Sequence, residues 1–338
     1  MMSSFRNARP LLSRMQRLMP GSGSSFLPCI KPAAVRRLST SATGLVPRWY
    51  HEPRKAAAAT AVTLSAAAMA FRSRYESEMV PCTNRSHLVV LSPEEERQLG
   101  ESAFAEWMVE YKYKDVVVDP RHPDSVRVNL IAQRVLRAAH RGLGVDGCRD
   151  AAMLRVTEKR RKWRKAWAPR PHTRHLRGLN LEIILAKDDR PDVSSSPCGK
   201  FVVTTGFLDR FNTDDEIAAA IAHELGHIIA RHPADITSSD WLPAFLWRFF
   251  LRRQEIEADH IGILLLGAAG YHPHWARVIL EKEAKFPQGS VLERKIRSVH
   301  PKTEKRLEFL AQAHIMEKAL ELYREATAMK IVTDRYFR

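Results

Sequence analysis

Four cysteines in 338 residues, at positions 29, 82, 148 and 198, form no CxxC pair. That spacing excludes a disulfide framework and a zinc ribbon. Acid is absent from the first 51 residues, where Glu52 is the earliest. Long apolar runs are absent too. The longest uncharged alanine-rich stretch, "AAAATAVTLSAAAMAF", covers only 56–71. As a helix it would reach about 24 Å, short of a ~30 Å hydrocarbon core. No internal repeat is visible, which sets aside solenoids and propellers.

The formal net charge of +16 raises the question of nucleic acid, but two stretches hold all of it. Residues 1–51 carry eight arginines and lysines, and 158–177 carries nine against Glu158. The rest of the chain is balanced, so its main body is not a cationic surface and no nucleic-acid partner is expected. The Arg- and Ser-rich, acid-free start has the composition of a mitochondrial transit peptide, assigned to 1–50. The run "EKRRKWRKAW" (158–167) reads as a solvated loop or an anionic-lipid contact.

The uncharged segment lies between Arg54, Lys55, Arg72 and Arg74, whose side chains can snorkel. We read 54–74 as one membrane anchor helix, the alternative being a soluble alanine-rich helix. Glu76 and Glu78 make its C-terminal flank the less basic one, which puts the following domain outside the matrix.

That domain is expected over 88–330. Ser92, Pro93 and Glu95 signal a helix start. A second helix is read over 123–141, with Val126, Leu130, Val135 and Leu136 as its apolar face. The stretch 142–178 reads as loop. "NLEIILA" (180–186) and "KFVVTTGFL" (200–208) read as strands forming an antiparallel pair. Helices follow at 213–232, 249–268, 273–285 and 303–329, punctuated by prolines. The fold class is α+β, mostly helical, with a small antiparallel sheet.

Chemistry concentrates in "AAIAHELGHIIARH" (219–232). Thr213 and Glu216 form a capping box that starts a helix. His223 and His227, one turn apart, share a face and can hold one zinc, and Glu224 can act as general base on a zinc-bound water. A catalytic zinc needs a third protein ligand. In "RRQEIEADHIG", Glu255 and Asp259 share a helical face while Glu257 points about 200° away. Glu255 is therefore the expected third ligand. Asp259 is expected to accept a hydrogen bond from a ligating histidine.

Together "HELGH", "EIEADHIG" and "HPKTEKRLEFL" resemble the zinc metallopeptidases that include the Oma-type mitochondrial inner-membrane proteases and the CAAX prenyl proteases. The likeness to the Oma type extends through "WYHEPRK", "HLVVLSPEEERQLGESAF", "HPDSVRV", "GLNLEIIL" and "LLLGAAGYHP", over roughly 49–328. The resemblance implies a zincin-type endopeptidase domain binding one zinc per subunit. It implies a single-pass inner-membrane protein facing the intermembrane space that cleaves membrane proteins in stress-linked quality control. It also implies inner-membrane lipid, prohibitin-type scaffolds and a homo-oligomer as partners. On residues, it matches His223, His227 and Glu255 to the zinc ligands, Glu224 to the general base and Asp259 to the supporting aspartate. His300 matches a histidine near the metal that stabilises the oxyanion in catalysis or gates the site, the alternative being a helix-entry residue before Pro301, and Arg306 matches the arginine after it.

Two departures stand out. Where the family shows "NAF…PGG", on the edge that takes an extended substrate, this chain reads "SSSPCGK" (194–200). The connector between the two motifs, 228–254, is short and holds "WLPAFLWRFFL" (241–251), read as a roof over the site or as core packing. A zinc-binding but proteolytically inactive membrane scaffold is the alternative to the enzyme.

Overall fold

The computed structural model describes residues 53–113, 116–143, 173–236, 244–285 and 303–336. The transit segment 1–50, the basic run 158–167 and His300 lie outside the described residues. The chain divides into two compact units, Gln16–Glu76 and one containing Ser77–Arg338.

Within the first unit, helix α1 spans Pro53–Arg74. A helix therefore forms where the anchor was expected. Its apolarity differs from that expectation, because no helix among the described residues is long and apolar enough to cross a membrane. Alanine supplies too little hydropathy per residue, and the charged flanks shorten the uncharged part.

The second unit begins within β1 (Glu76–Met79), which pairs with β2 (Ser86–Val89) as a two-stranded ribbon, followed by α2 (Pro93–Tyr113) and α3 (Pro123–Leu143). Helix α3 buries Val128, Ile131, Ala132, Val135 and Leu136. Val126 and Leu130, expected on the apolar face, are exposed. The stripe that docks runs instead through residues 128, 131, 132, 135 and 139.

Strands β3 (Glu182–Ala186), β4 (Val193–Ser195) and β5 (Lys200–Thr204) form a sheet in the order β3-β5-β4. The expected antiparallel pairing of the two longer runs is wrong: β3 and β5 are parallel, from Glu182↔Lys200 to Ala186↔Thr204. The link between them contains a strand of its own. Strand β4 takes the hairpin position beside β5, so β3 must lie on the other side in the same direction as β5. Strand β5 also stops at Thr204 rather than running to 208. The Thr204 hydroxyl accepts from the Phe207 amide and caps α4 (Thr205–Arg210).

Helix α5 (Asp214–Ile229) begins at the Thr213–Glu216 capping box. Every residue from Glu216 to Ile229 is buried, as suits a segment apolar nearly all round. It packs against α3, α6 (Ala244–Ala268), α7 (Trp275–Lys285) and β4. The stretch "AFLWRFFL" belongs to α6, where Leu251 is buried and Phe249 exposed. The helix read over 303–329 is two, α8 (Thr303–Leu310) and α9 (Ala313–Tyr336).

Glycines set the α5–α6 distance. A Cβ on Gly226 would lie 2.7 Å from the Ala258 carbonyl oxygen, and one on Gly262 would lie 3.1 Å from His223 Cα. Only hydrogen fits there without pushing the backbones apart. Gly226→Ala is expected to destabilise the zinc-free fold by about 1–3 kcal/mol. Urea unfolding measures it, and an unchanged midpoint would contradict the close packing.

Helix α5 ends earlier than expected, because Arg231 adopts a left-handed conformation with φ of 54°. Its buried guanidinium donates to Glu96, Glu78 and the Leu91 carbonyl, each at 2.8 Å. Burial pushes Glu96 up to about 7, with Arg231 only partly offsetting it. Removing one member of such a buried group strands the others, so these contacts fix the chain's path more than they add stability. The ribbon thus belongs to this unit, which reaches back beyond the expected start at residue 88.

Candidate metal centre

His223 and His227 project from one face of α5 with their Nε2 atoms 3.2 Å apart. Glu255, on α6, brings its carboxylate oxygens 3.5 Å from His223 Nε2 and 3.7 Å from His227 Nε2. One donor atom from each of the three lies within 4.8 Å of the others, and all three residues are buried. Two buried imidazole nitrogens converging on a buried carboxylate form a donor set that suits zinc.

Behind His223, Asp259 places Oδ1 3.0 Å from Nδ1. Arg306 on α8 grips Asp259 with two hydrogen bonds of 2.6 Å and approaches Glu255 at 3.5 Å. A bidentate guanidinium fixes the carboxylate plane, and the carboxylate fixes the ring. Glu257 projects elsewhere. It accepts from Arg85 Nε at 2.8 Å and from the Thr83 hydroxyl at 2.5 Å, and lies 3.1 Å from His232 Nε2. Burial raises the pKa of Glu257, but His232 and Arg85 outweigh it and bring the value to about 2.

Glu224 is buried and accepts a 2.8 Å hydrogen bond from the Ser195 hydroxyl, at the end of β4. Strand β4 is an outer strand of its sheet, so this contact puts a sheet edge beside the carboxylate. Ser195 belongs to the stretch that departs from the family pattern. Next to it, the Ser196 hydroxyl is turned away, onto the Gly100 carbonyl at 2.7 Å.

Burial opposes charge on His223, yet the Asp259 and Glu255 carboxylates overcome it and raise its pKa to about 9. Burial pushes His227 well below its ordinary value, further than Glu255 can restore. His223, charged in the zinc-free site, is therefore the one expected to lose a proton when metal arrives. Zinc binding at pH 7 is expected to release about one proton, and affinity to fall roughly tenfold per pH unit below about 9. Calorimetry in buffers of different ionisation enthalpy counts that proton, and a count of zero would contradict the assignment. In the zinc-free chain the raised pKa works the other way. The charge on His223 stabilises the fold below pH 6.5, and that contribution is lost as pH rises through about 9.

Helical phase and resemblance together pointed to His223, Glu224, His227, Glu255, Asp259 and Arg306; contacts join five of them, and Glu224, next to His223 on α5, meets Ser195. His300 falls outside the described residues. Ser195, His232 and Arg85 were not singled out from sequence. His232 carried a weak signal, as a histidine just past a helix end. Arg85 carried none.

The model of peptidase family M48 matches residues 193–246 and 235–314. The chain is 32% identical to the mitochondrial metalloendopeptidase OMA1 of Arabidopsis thaliana, over 83% of this chain and 69% of that protein. It is 26% identical to the OMA1 of Schizosaccharomyces pombe, over 75% and 72%. Against the OMA1 of Saccharomyces cerevisiae the identity is 24%, over 74% and 72%.

Proposed function

The chain belongs to the Oma-type metalloendopeptidases of peptidase family M48, and from that membership we propose that it cleaves membrane proteins of the mitochondrial inner membrane in stress-linked quality control. It is a metalloprotease of a zinc-dependent family whose named relatives are mitochondrial. The observation that carries the mechanism is the convergence of His223, His227 and Glu255 beside Glu224, with β4 alongside.

His223, His227 and Glu255 would hold the metal. Zinc bound there supplies the Lewis acidity that acidifies water and polarises the scissile carbonyl. Glu224 accepts the proton of the attacking water and passes it to the leaving amine. Ser195 donates to Glu224 and aims its carboxylate. An extended substrate strand adds along the outer edge of β4, its backbone pairing with the strand. Asp259 and Arg306 keep the His223 ring in place.

The test is cleavage of a denatured protein by the detergent-solubilised full chain, with and without chelator. Cleavage that needs metal supports the reading, and a zinc-loaded chain that cuts nothing favours the inactive scaffold. We place the peptidase unit on the intermembrane-space side, attached through 54–74. The support is the uncharged run and its basic flanks. Carbonate extraction and protease treatment of mitoplasts test this, and a peptidase unit still protected after the outer membrane is opened rules it out.

A further inference from the structure

The two metal-facing histidines are backed differently. His223 leans on a carboxylate held by an arginine. His227 leans on another histidine: His227 Nδ1 and His232 Nδ1 are 2.8 Å apart. The far side of His232, Nε2, lies 3.1 Å from Glu257 Oε2. Glu257 is held in turn by Arg85, whose other guanidinium arm donates to Asp235 at 2.9 Å. His227, His232, Glu257 and Asp235 are buried. We propose that His232 and Glu257 are positioning residues for His227, forming a histidine–histidine–carboxylate relay that fixes its ring and its tautomer. This inference rests on the zinc reading above.

Protons and lone pairs along the row can be counted. A histidine that ligates through Nε2 presents a lone pair there, so its proton sits on Nδ1. Nδ1 of His227 faces Nδ1 of His232, so His232 must accept at that atom. Its own proton then lies on Nε2, the atom that faces the Glu257 carboxylate, an acceptor only. Every atom in the row is satisfied by one arrangement, with both rings neutral. The reverse order would put a proton on His227 Nε2, where the ligand lone pair is needed. A negative carboxylate at the end of the row therefore selects the tautomer competent to bind metal.

The backbone supports this geometry. Left-handed Arg231 ends the helix and turns the chain so that His232 folds back beneath His227. A helix continued through 232, as the sequence was read, would place His232 about 140° around the axis from His227 and out of reach.

The experiment uses the detergent-solubilised full chain. Zinc affinity is measured by competition with a chromophoric chelator, and the ligand field by the visible absorption of the cobalt-substituted protein. His232→Leu removes both hydrogen bonds at similar volume. His232→Gln can keep an acceptor toward His227 and a donor toward Glu257. The leucine variant is expected to bind zinc about 10–100-fold more weakly and to shift the cobalt band, with glutamine recovering most of both. Glu257→Gln, which keeps the shape and loses the charge, is expected to weaken zinc about tenfold with an unchanged far-ultraviolet spectrum, and it decides the matter if His232→Leu does not fold. Wild-type affinity and an unshifted cobalt band in His232→Leu, or in Glu257→Gln where the leucine chain is unfolded, overturn the relay. A role confined to packing would lower the zinc-free melting temperature and leave the cobalt band alone. If the wild-type chain takes up no zinc, the reading beneath this inference fails, not the relay alone.

Discussion

Glu224→Gln is expected to keep its zinc and to lose at least about 10²-fold in peptide hydrolysis. Glutamine matches glutamate in shape, and its side-chain carbonyl can still accept the Ser195 hydroxyl that Glu224 accepts at 2.8 Å. The three metal-facing side chains are untouched, so metal content is unchanged. What disappears is the group that takes the proton from the attacking water. The substitution also separates enzyme from scaffold in cells. An enzyme carrying it holds zinc and does not rescue a knockout, whereas a scaffold rescues as the wild type does. A variant that loses zinc along with activity would mean that Glu224 shapes the site.

Glu255→Ala is expected to abolish stoichiometric zinc uptake, while Glu257→Ala still takes up zinc at saturation with affinity weakened about tenfold. The two residues differ by two positions on α6, about 200° of helical turn, and the fold sends them to different places. Glu255 meets both histidines, and Glu257 meets Arg85 and His232. Losing Glu255 removes one of three donors and leaves the Arg306 guanidinium, 3.5 Å from it, facing two imidazoles. A cation beside a vacated cation site deepens the loss. Metal analysis after dialysis against a fixed zinc concentration settles it. Equal loss in the two variants, or loss in Glu257→Ala alone, would reverse the assignment.

The parts of the site that could be read from sequence are those fixed by one helix's own geometry. His223 and His227 are four apart, as are Glu255 and Asp259, and the 3.6-residue turn aligns each pair whatever surrounds it. Arg306 was reached by resemblance, since no local rule links it to Asp259, 47 residues earlier. The row behind His227 could not be reached by either route. It depends on a left-handed residue at 231 that is not glycine, a conformation that favours glycine and is hard to foresee at arginine. It depends also on Arg85, which comes from the far end of the unit. The sheet shows the same limit. Two apolar runs separated by a polar link suggest a hairpin. Val193–Ser195, only three residues long and two of them serine, gives no strand signal, yet it decides that its neighbours run parallel. Ser195 is a case of its own. The departure from the family pattern was visible, but its consequence, a hydroxyl on Glu224, appears only once β4 is placed against α5.

The ties around the centre also bear on how the chain folds. Arg85 and Glu257 are 172 residues apart, Glu78 and Arg231 are 153 apart, and His223 and Arg306 are 83 apart. Contacts this distant carry the full entropy of closing long loops and form slowly. Before they close, His223 and His227 are near each other in sequence, but Glu255 is not yet held against them. The contacts that back the donor set are thus expected to form late in folding, after the transition state. Interactions of that kind leave the folding rate almost unchanged and slow unfolding. Zinc, on this topology, is a lock fastened after assembly, lengthening the life of the native state without hastening its arrival.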